Sequence, residues 1–263
     1  MLPALTDAVR RVAVQEIMPR YLKVARQHKD DGSYCTEADI AAQAALIPAL
    51  QAIAPCPVLG EEMSDAEQHR QWVSGRDGLW CLDPIDGTSN FINGLPYFAV
   101  SVALMRGGKP VLGAVYDPVA DEMFCAEAGK GAWLNGERLP IKSFCPAGLG
   151  AAIAGADLKR LSRRLRERLA VDPPYRSQRN FGASALDWCY VAAGRFDVYL
   201  HGGQKLWDYA AGSLILEEAG GSVCLLDGGD FWAADPWCRS VITALHPSLF
   251  RSWRAWVRAV AAE

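Results

Sequence analysis

Two carboxylates, Asp83 and Asp86, stand three residues apart at the end of a short apolar run and are followed at once by Gly87 and Thr88. Acids so spaced beside a turn can converge on one hard cation, to which they offer oxygen ligands only. Gly87 lets the backbone come close to a ligand, and Thr88 is expected to cap a helical turn whose exposed N–H groups attract an anion. A cation and a phosphate would then lie side by side. The same residues are also ordinary turn formers between elements, so this stretch alone leaves both readings open.

The elements that must position these groups can be read from periodicity. Leu5, Val9, Val12, Ile17 and Leu22 fall at roughly helical spacing over residues 6–27, with Pro19 expected to kink or split the element. A polar turn follows at 29–33. Thr36 and Asp39 form a capping-box pattern that opens a second helix through Ile53. Residues 57–62 read as a short strand ending in Glu61 and Glu62. Alternating apolar positions over 97–105, 111–116 and 123–127, with glycine turns between them, predict antiparallel strands.

In the second half, Leu158, Leu161, Leu165 and Leu169 mark one face of an expected helix over 157–171, whose other face is crowded with arginines. Helices are expected over 184–193, 205–219 and 247–261, and strands over 196–200, 223–226 and 240–244. This alternation is that of α/β layering. The sequence shows no repeat or low-complexity tract, and the loop at 172–174 is the expected lobe boundary.

At 263 residues and 51% hydrophobic composition the chain can build a substantial core. A net charge of −3 gives no global reason for a nucleic-acid partner, and no apolar run is long enough to span a bilayer. The first twenty residues interleave charges with apolar residues, unlike a secretory signal, so a cytoplasmic protein is expected. The eight cysteines are dispersed without a Cys-x-x-Cys pair and the four histidines form no ligand-spaced pair, which points to free thiols and away from zinc.

The run Asp83-Pro84-Ile85-Asp86-Gly87-Thr88-Ser89-Asn90-Phe91 resembles the first signature of the inositol monophosphatase family. Trp207-Asp208-Tyr209-Ala210-Ala211-Gly212, with Glu218-Ala219-Gly220-Gly221 behind it, is similar to the second. Gly60-Glu61-Glu62 and Thr36-Glu37-Ala38-Asp39 are similar to two further motifs, in the family's order. The resemblance implies that Glu61, Asp83, Asp86, Asp208 and the carbonyl of Ile85 are metal ligands. It implies that Thr88 and Asp39 orient and deprotonate the attacking water, and that the amides of Gly87 and Thr88 hold phosphate.

It further implies a layered α/β/α/β/α sandwich of the inositol monophosphatase and fructose-1,6-bisphosphatase type, a homodimer, magnesium dependence and lithium sensitivity. Within this single domain, a lobe of residues 1–150 would carry most of the ligands, and a lobe of 151–263 would bring Asp208 and the substrate contacts. Four carboxylates in one cleft would repel and raise each other's pKa unless cations neutralise them, and an oxygen-only set favours magnesium over zinc. Divalent cations there would activate a water and stabilise the leaving oxygen of an in-line displacement.

By spacing, His201 and Ser184 fall where inositol phosphatases place a glutamate and a small residue against the ring hydroxyls. A histidine donates and accepts differently from a carboxylate, and a loop residue facing solvent is the plain alternative. The expected activity is therefore hydrolysis of a small phosphorylated polyol or amino alcohol, with inositol monophosphate foremost. Histidinol phosphate, fructose bisphosphate and a nucleotide 3′-phosphate stay open. A different class, a non-catalytic interaction protein docking through the arginine-rich helix, is weighed against it.

Overall fold

The computed structural model describes residues 1–23, 27–28, 34–142 and 144–262. The expected turn at 29–33 lies outside the described residues. Helix α1, Leu2–Val12, buries Leu5, Ala8, Val9 and Val12 and then continues as one π turn, Ala13–Ile17, and one 3₁₀ turn, Met18–Arg20. The break expected at Pro19 is found: the element expected over 6–27 begins at Leu2 and leaves α geometry as it approaches Pro19, which has no N–H for the α ladder. Two short strands, β1 (Gln27–His28) and β2 (Tyr34–Cys35), pair antiparallel, and α2 spans Glu37–Ile53.

A seven-stranded sheet follows. Its members are β3 (Val58–Gly60), β4 (Leu79–Asp86), β5 (Ala99–Arg106), β6 (Lys109–Asp117), β7 (Glu122–Glu127), β8 (Gly131–Leu134) and β9 (Glu137–Arg138), hydrogen-bonded in chain order. All pairs are antiparallel except β3 with β4, which run parallel. Helix α3, Asp65–Ser74, makes that crossover, and α4, Thr88–Asn93, follows β4. The acids Glu61 and Glu62 lie just past β3, one turn outside the strand expected to contain them.

The second sheet has the order β11-β10-β12-β14-β13, formed by β10 (Ile153–Asp157), β11 (Ser177–Arg179), β12 (Val198–Gln204), β13 (Ser222–Cys224) and β14 (Arg239–Ala244). Its helices are α5 (Arg163–Val171), α6 (Ser184–Ala192), α7 (Leu206–Glu218) and α8 (Pro247–Ala262). Three expectations are corrected here. The helix over 157–171 is shorter, because Asp157 Oδ1 turns back onto the Lys159 amide at 2.7 Å and the Ser162 hydroxyl caps α5 at Leu165. The strand over 196–200 runs on to Gln204 through Gly202 and Gly203, since pairing with β14 overrides the weak strand preference of glycine. The loop at 172–174 joins α5 to β11 inside the second sheet and is no lobe boundary.

Three apolar clusters define the layers. One joins α1 and α2 to the outer face of the seven-stranded sheet, and one joins that sheet's inner face to α6, α7 and the five-stranded sheet. The third joins the far face of the five-stranded sheet to α5 and α8. The result is the layered α/β/α/β/α sandwich. Helix α7 lies in its middle and is buried over most of its length: Leu206, Leu214, Ile215 and Leu216 are all buried, each contributing about 1.5–3 kcal/mol, and Tyr209 is buried with them. Its N-terminus is therefore held rigidly between the sheets. Among the described residues no helix is long and apolar enough to cross a membrane.

Candidate active site

The end of β4 and the first turns of α2, α4, α6 and α7 meet at one place. Asp83 and Asp86 come from β4, and Asp208 is the third residue of α7. Carboxylate oxygens of the three lie within 4.8 Å of one another. Each is pinned by a backbone amide. Asp83 Oδ1 accepts from Ile85 at 2.9 Å, Asp86 Oδ2 from Ala185 at 2.6 Å and Asp208 Oδ2 from Lys205 at 2.9 Å. Glu61 stands outside this triad, with its carboxyl within hydrogen-bond reach of Asp83. Its backbone is fixed by β4 and α3, its amide donating to Leu82 O and its carbonyl accepting from Gln68 Nε2.

Electrostatics shows what the cluster needs. Burial, then the charges of Glu61, Asp86 and Asp208, drive Asp83 well above the carboxylate range. Asp86 is raised by burial and by Asp208, against the pull of the Ala185 amide. Asp208 is pushed up to about 7 by burial and Glu61, with the Lys205 amide and the charges of Arg160 and Lys205 opposing. Carboxylates that are costly to ionise together, and that present only oxygen, fit a hard divalent cation.

Beside the acids, Thr88 Oγ1 donates to Ile85 O at 3.1 Å and lies 3.5 Å from Asp39 Oδ1. Asp39 also takes the Thr36 amide at 2.7 Å and the Thr36 hydroxyl at 2.6 Å through Oδ2, completing the capping box of α2. Burial pushes its carboxyl up to about 7, the Thr36 hydroxyl opposing and the Glu62 charge adding. Capping and site geometry therefore coexist in Asp39. The cap of α4 is Gly87, at φ +91°, and not Thr88 as expected; a left-handed residue suits glycine, and Thr88 becomes the first helical residue with its hydroxyl turned back to the site. Ile85 packs its side chain in the core and leaves its carbonyl facing Thr88.

The two residues singled out for substrate lie on the second sheet's side. Ser184 is the first residue of α6, hydrogen-bonded to Tyr199. His201 is buried on β12, so the solvent-facing alternative does not hold. Its Nε2 is 3.7 Å from Asp157 Oδ2, and burial lowers its pKa to about 4 although Asp157 raises it. Several supporting residues were not anticipated. Gln43 Oε1 accepts the Glu62 amide at 3.2 Å, and Asn90 Nδ2 reaches the carbonyls of both Tyr97 and Phe181. Tyr97 Oη donates to the buried Asp187 at 2.9 Å. Of these only Asn90 lies inside a recognised run; the others are joined to the site by tertiary contact alone.

Residues 1–256 match the model of the inositol monophosphatase family. A Pseudomonas aeruginosa protein named Nus factor SuhB is 37% identical over 240 residues, covering 86% of this chain and 88% of the relative. An inositol-1-monophosphatase of Caulobacter vibrioides is 34% identical over 266 residues, covering 97% of this chain and all of the relative. The solved structure of an IMPase from Thermotoga maritima superposes with a TM-score of 0.83 at 29% identity, over 99% of this chain and 98% of that one. A match of this extent, on a layered sandwich whose acids meet at one cleft, places the chain in the inositol monophosphatase family.

Proposed function

We propose that the protein is a magnesium-dependent phosphomonoesterase of a small phosphorylated polyol or amino alcohol, with inositol monophosphate as its leading substrate. The observation that carries this is the convergence of Asp83, Asp86 and Asp208 beside the Thr88–Asp39 pair. Asp83, Asp86, Asp208, Glu61 and the Ile85 carbonyl would hold the cations. The chemistry that magnesium supplies when bound is Lewis acidity toward the attacking water and the departing oxygen.

The chain's own groups do the rest. Thr88 Oγ1 keeps lone pairs for a water's proton while its own hydrogen is directed to Ile85 O and Asp39, and Asp39 is poised to take the relayed proton because burial has brought its pKa to about 7. The amides at Gly87 and Thr88, where α4 begins, suit the phosphate oxygens. Ser184 and His201 border the leaving alcohol, so phosphate recognition is more fully specified than recognition of the alcohol. Lithium inhibition, cytoplasmic location, a homodimeric state and a division into lobes at 150/151 belong to the same reading.

Phosphate release from a panel of esters with magnesium at neutral pH tests it, with Asp83→Asn as control. Release lost in that variant supports the reading, and no release from any ester refutes it. Relatives named Nus factor favour a second reading, in which the fold serves as a Nus factor without turnover. There the arginines of α5 are the natural docking face, although Arg163 pairs with Glu167 and Arg168 with Asp172. A cellular role that survives Asp83→Asn but is lost on neutralising Arg163 and Arg164 would select it.

A further inference from the structure

Helix α3 is lightly anchored in the core. It buries Gln68, while its apolar side chains Ala66, Trp72 and Val73 are exposed or half-buried. Yet it holds one end of the Glu61 turn, since Gln68 Nε2 donates to Gly60 O at 3.2 Å and to Glu61 O at 3.1 Å. The Glu61 amide is held from the opposite side by Leu82 O of β4. A shift of α3 therefore turns the Glu61 peptide about a fixed amide.

The support for α3 comes from the other half of the chain. His69 stacks on Trp237 with ring centroids 4.4 Å apart and planes at 25°, and Trp72 meets the same indole edge-on at 6.1 Å. Trp237 belongs to the segment that joins β13 to β14. Arg239 gathers that segment from beneath: it is 2% exposed, its Nη2 donates to Ala234 O at 2.8 Å and its Nε to Asp235 O at 3.3 Å. Its guanidinium lies 5.0, 5.1 and 5.2 Å from the ring centroids of Tyr209, Phe231 and Trp232. Tyr209 follows Asp208 on α7, and its Oη donates at 2.9 Å to the carbonyl of Pro236, the neighbour of Trp237.

These contacts close a circuit between two acids of the cleft. From Asp208 it runs through Tyr209 and Arg239 to Trp237, then through α3 and Gln68 to Glu61. Asp83 and Asp86 are placed by the sheet itself, whereas the carbonyl end of Glu61 depends on α3, and α3 rests on Trp237. We propose that Trp237 is a positioning residue for Glu61, and that residues 231–238, fastened by Arg239 and Tyr209, are a strap that sets the distance from Glu61 to Asp208. The inference rests on the phosphatase reading, in which both carboxylates hold magnesium.

The test titrates magnesium calorimetrically into the metal-free full chain, with the metal-free Tm read beside it. Trp237→Ala should weaken magnesium affinity about tenfold, as loss of an outer support of a ligand does. Trp237→Phe, which keeps a ring for His69 and Trp72, should recover most of that loss. Gln68→Met breaks the same path one link nearer Glu61 and should weaken affinity by a similar factor, and the double variant should be little worse than either single one. Trp256→Ala is the control: it removes an indole stacked on Trp253 at 5.6 Å on the far side of the second sheet, and should lower Tm while leaving affinity unchanged. Should Trp237→Ala not fold, Trp237→Leu carries the test, since it keeps apolar cover and loses the ring. Unchanged affinity in the Trp237 variants, an equal loss in Trp256→Ala, or multiplying losses in the double variant overturns the strap and leaves the metal site standing. A wild type that binds no magnesium overturns both.

Discussion

Asp86, the last residue of β4, caps a helix that belongs to the other sheet: its Oδ2 accepts the amide of Ala185, in the first turn of α6, at 2.6 Å. One carboxylate therefore closes a helix N-terminus and faces Asp83 and Asp208 at the same time. These two duties make opposite demands. The amide is satisfied by any oxygen acceptor, whereas a cation needs the charge.

The demands separate by substitution. Asp86→Asn keeps an acceptor for Ala185 and removes a charge that burial and Asp208 already disfavour, so metal-free stability should hold or rise. The magnesium-induced increase in Tm should vanish. Asp86→Ala should lose that increase as well and cost about 1–2 kcal/mol besides, as an orphaned helix amide does. Thermal unfolding with magnesium and with a chelator reads both. Equal metal-free Tm values for the two variants would show that the Ala185 bond has no weight.

A corresponding split is expected at Thr88. Thr88→Val retains shape and loses the hydroxyl that lies between Ile85 O and Asp39, and kcat should drop about 10²–10⁴-fold, the usual worth of a positioned proton acceptor. Thr88→Ser should keep most of the rate. Asp39→Asn should slow turnover by a similar factor, and the double variant should be little worse than either single one, because groups acting as a unit are not additive. Independent, multiplying losses in steady-state kinetics would contradict a Thr88–Asp39 pair.

The fold was legible where the signal was local. The capping box at Thr36 and Asp39 fixed the start of α2, and alternation fixed β5, β6 and β7. Errors arose where tertiary pairing overruled local preference: two glycines hid the end of β12, and the leucine spacing of Leu158 and Leu161 suggested a helix although Leu161 reaches the core from a turn. The carboxylates were readable because family resemblance aligned them, not because anything near Asp208 announces that it will meet Asp83. Gln43, Ala185 and Asp187 carry no such label. Their parts come from contacts across many residues, which no short pattern encodes.

Gly60 offers a test of one hidden support. A Cβ there would fall 2.0 Å from Gln43 Oε1, the acceptor of the Glu62 amide. Gln43 is flexible enough to swing away, so Gly60→Ala should cost only about 1 kcal/mol of stability, the worth of one hydrogen bond. The turn carrying Glu61 would keep its bonds to Leu82 O and Gln68 Nε2 and lose the one to Gln43, and magnesium affinity should weaken about tenfold. Calorimetric titration with magnesium beside a denaturant curve checks both, and unchanged affinity would show that Gln43 does not position Glu61.

Asp187 sets a pH dependence that can be signed. It is buried, its pKa is pushed up to about 8 by desolvation despite the Tyr97 hydroxyl, and its unfolded value is 3.8. Between those values the folded state holds a proton that the unfolded state has released, so the group's stabilisation is complete below pH 3.8 and is lost progressively as pH rises towards about 8. Asp187→Asn keeps an acceptor for Tyr97 and has nothing to ionise. In metal-free protein the variant should unfold at a higher temperature than wild type at pH 8, by about 2–4 °C for each kcal/mol relieved. The gap should close as pH falls towards 4, and parallel Tm profiles across that range would show that Asp187 ionises in the folded protein as readily as in the unfolded chain.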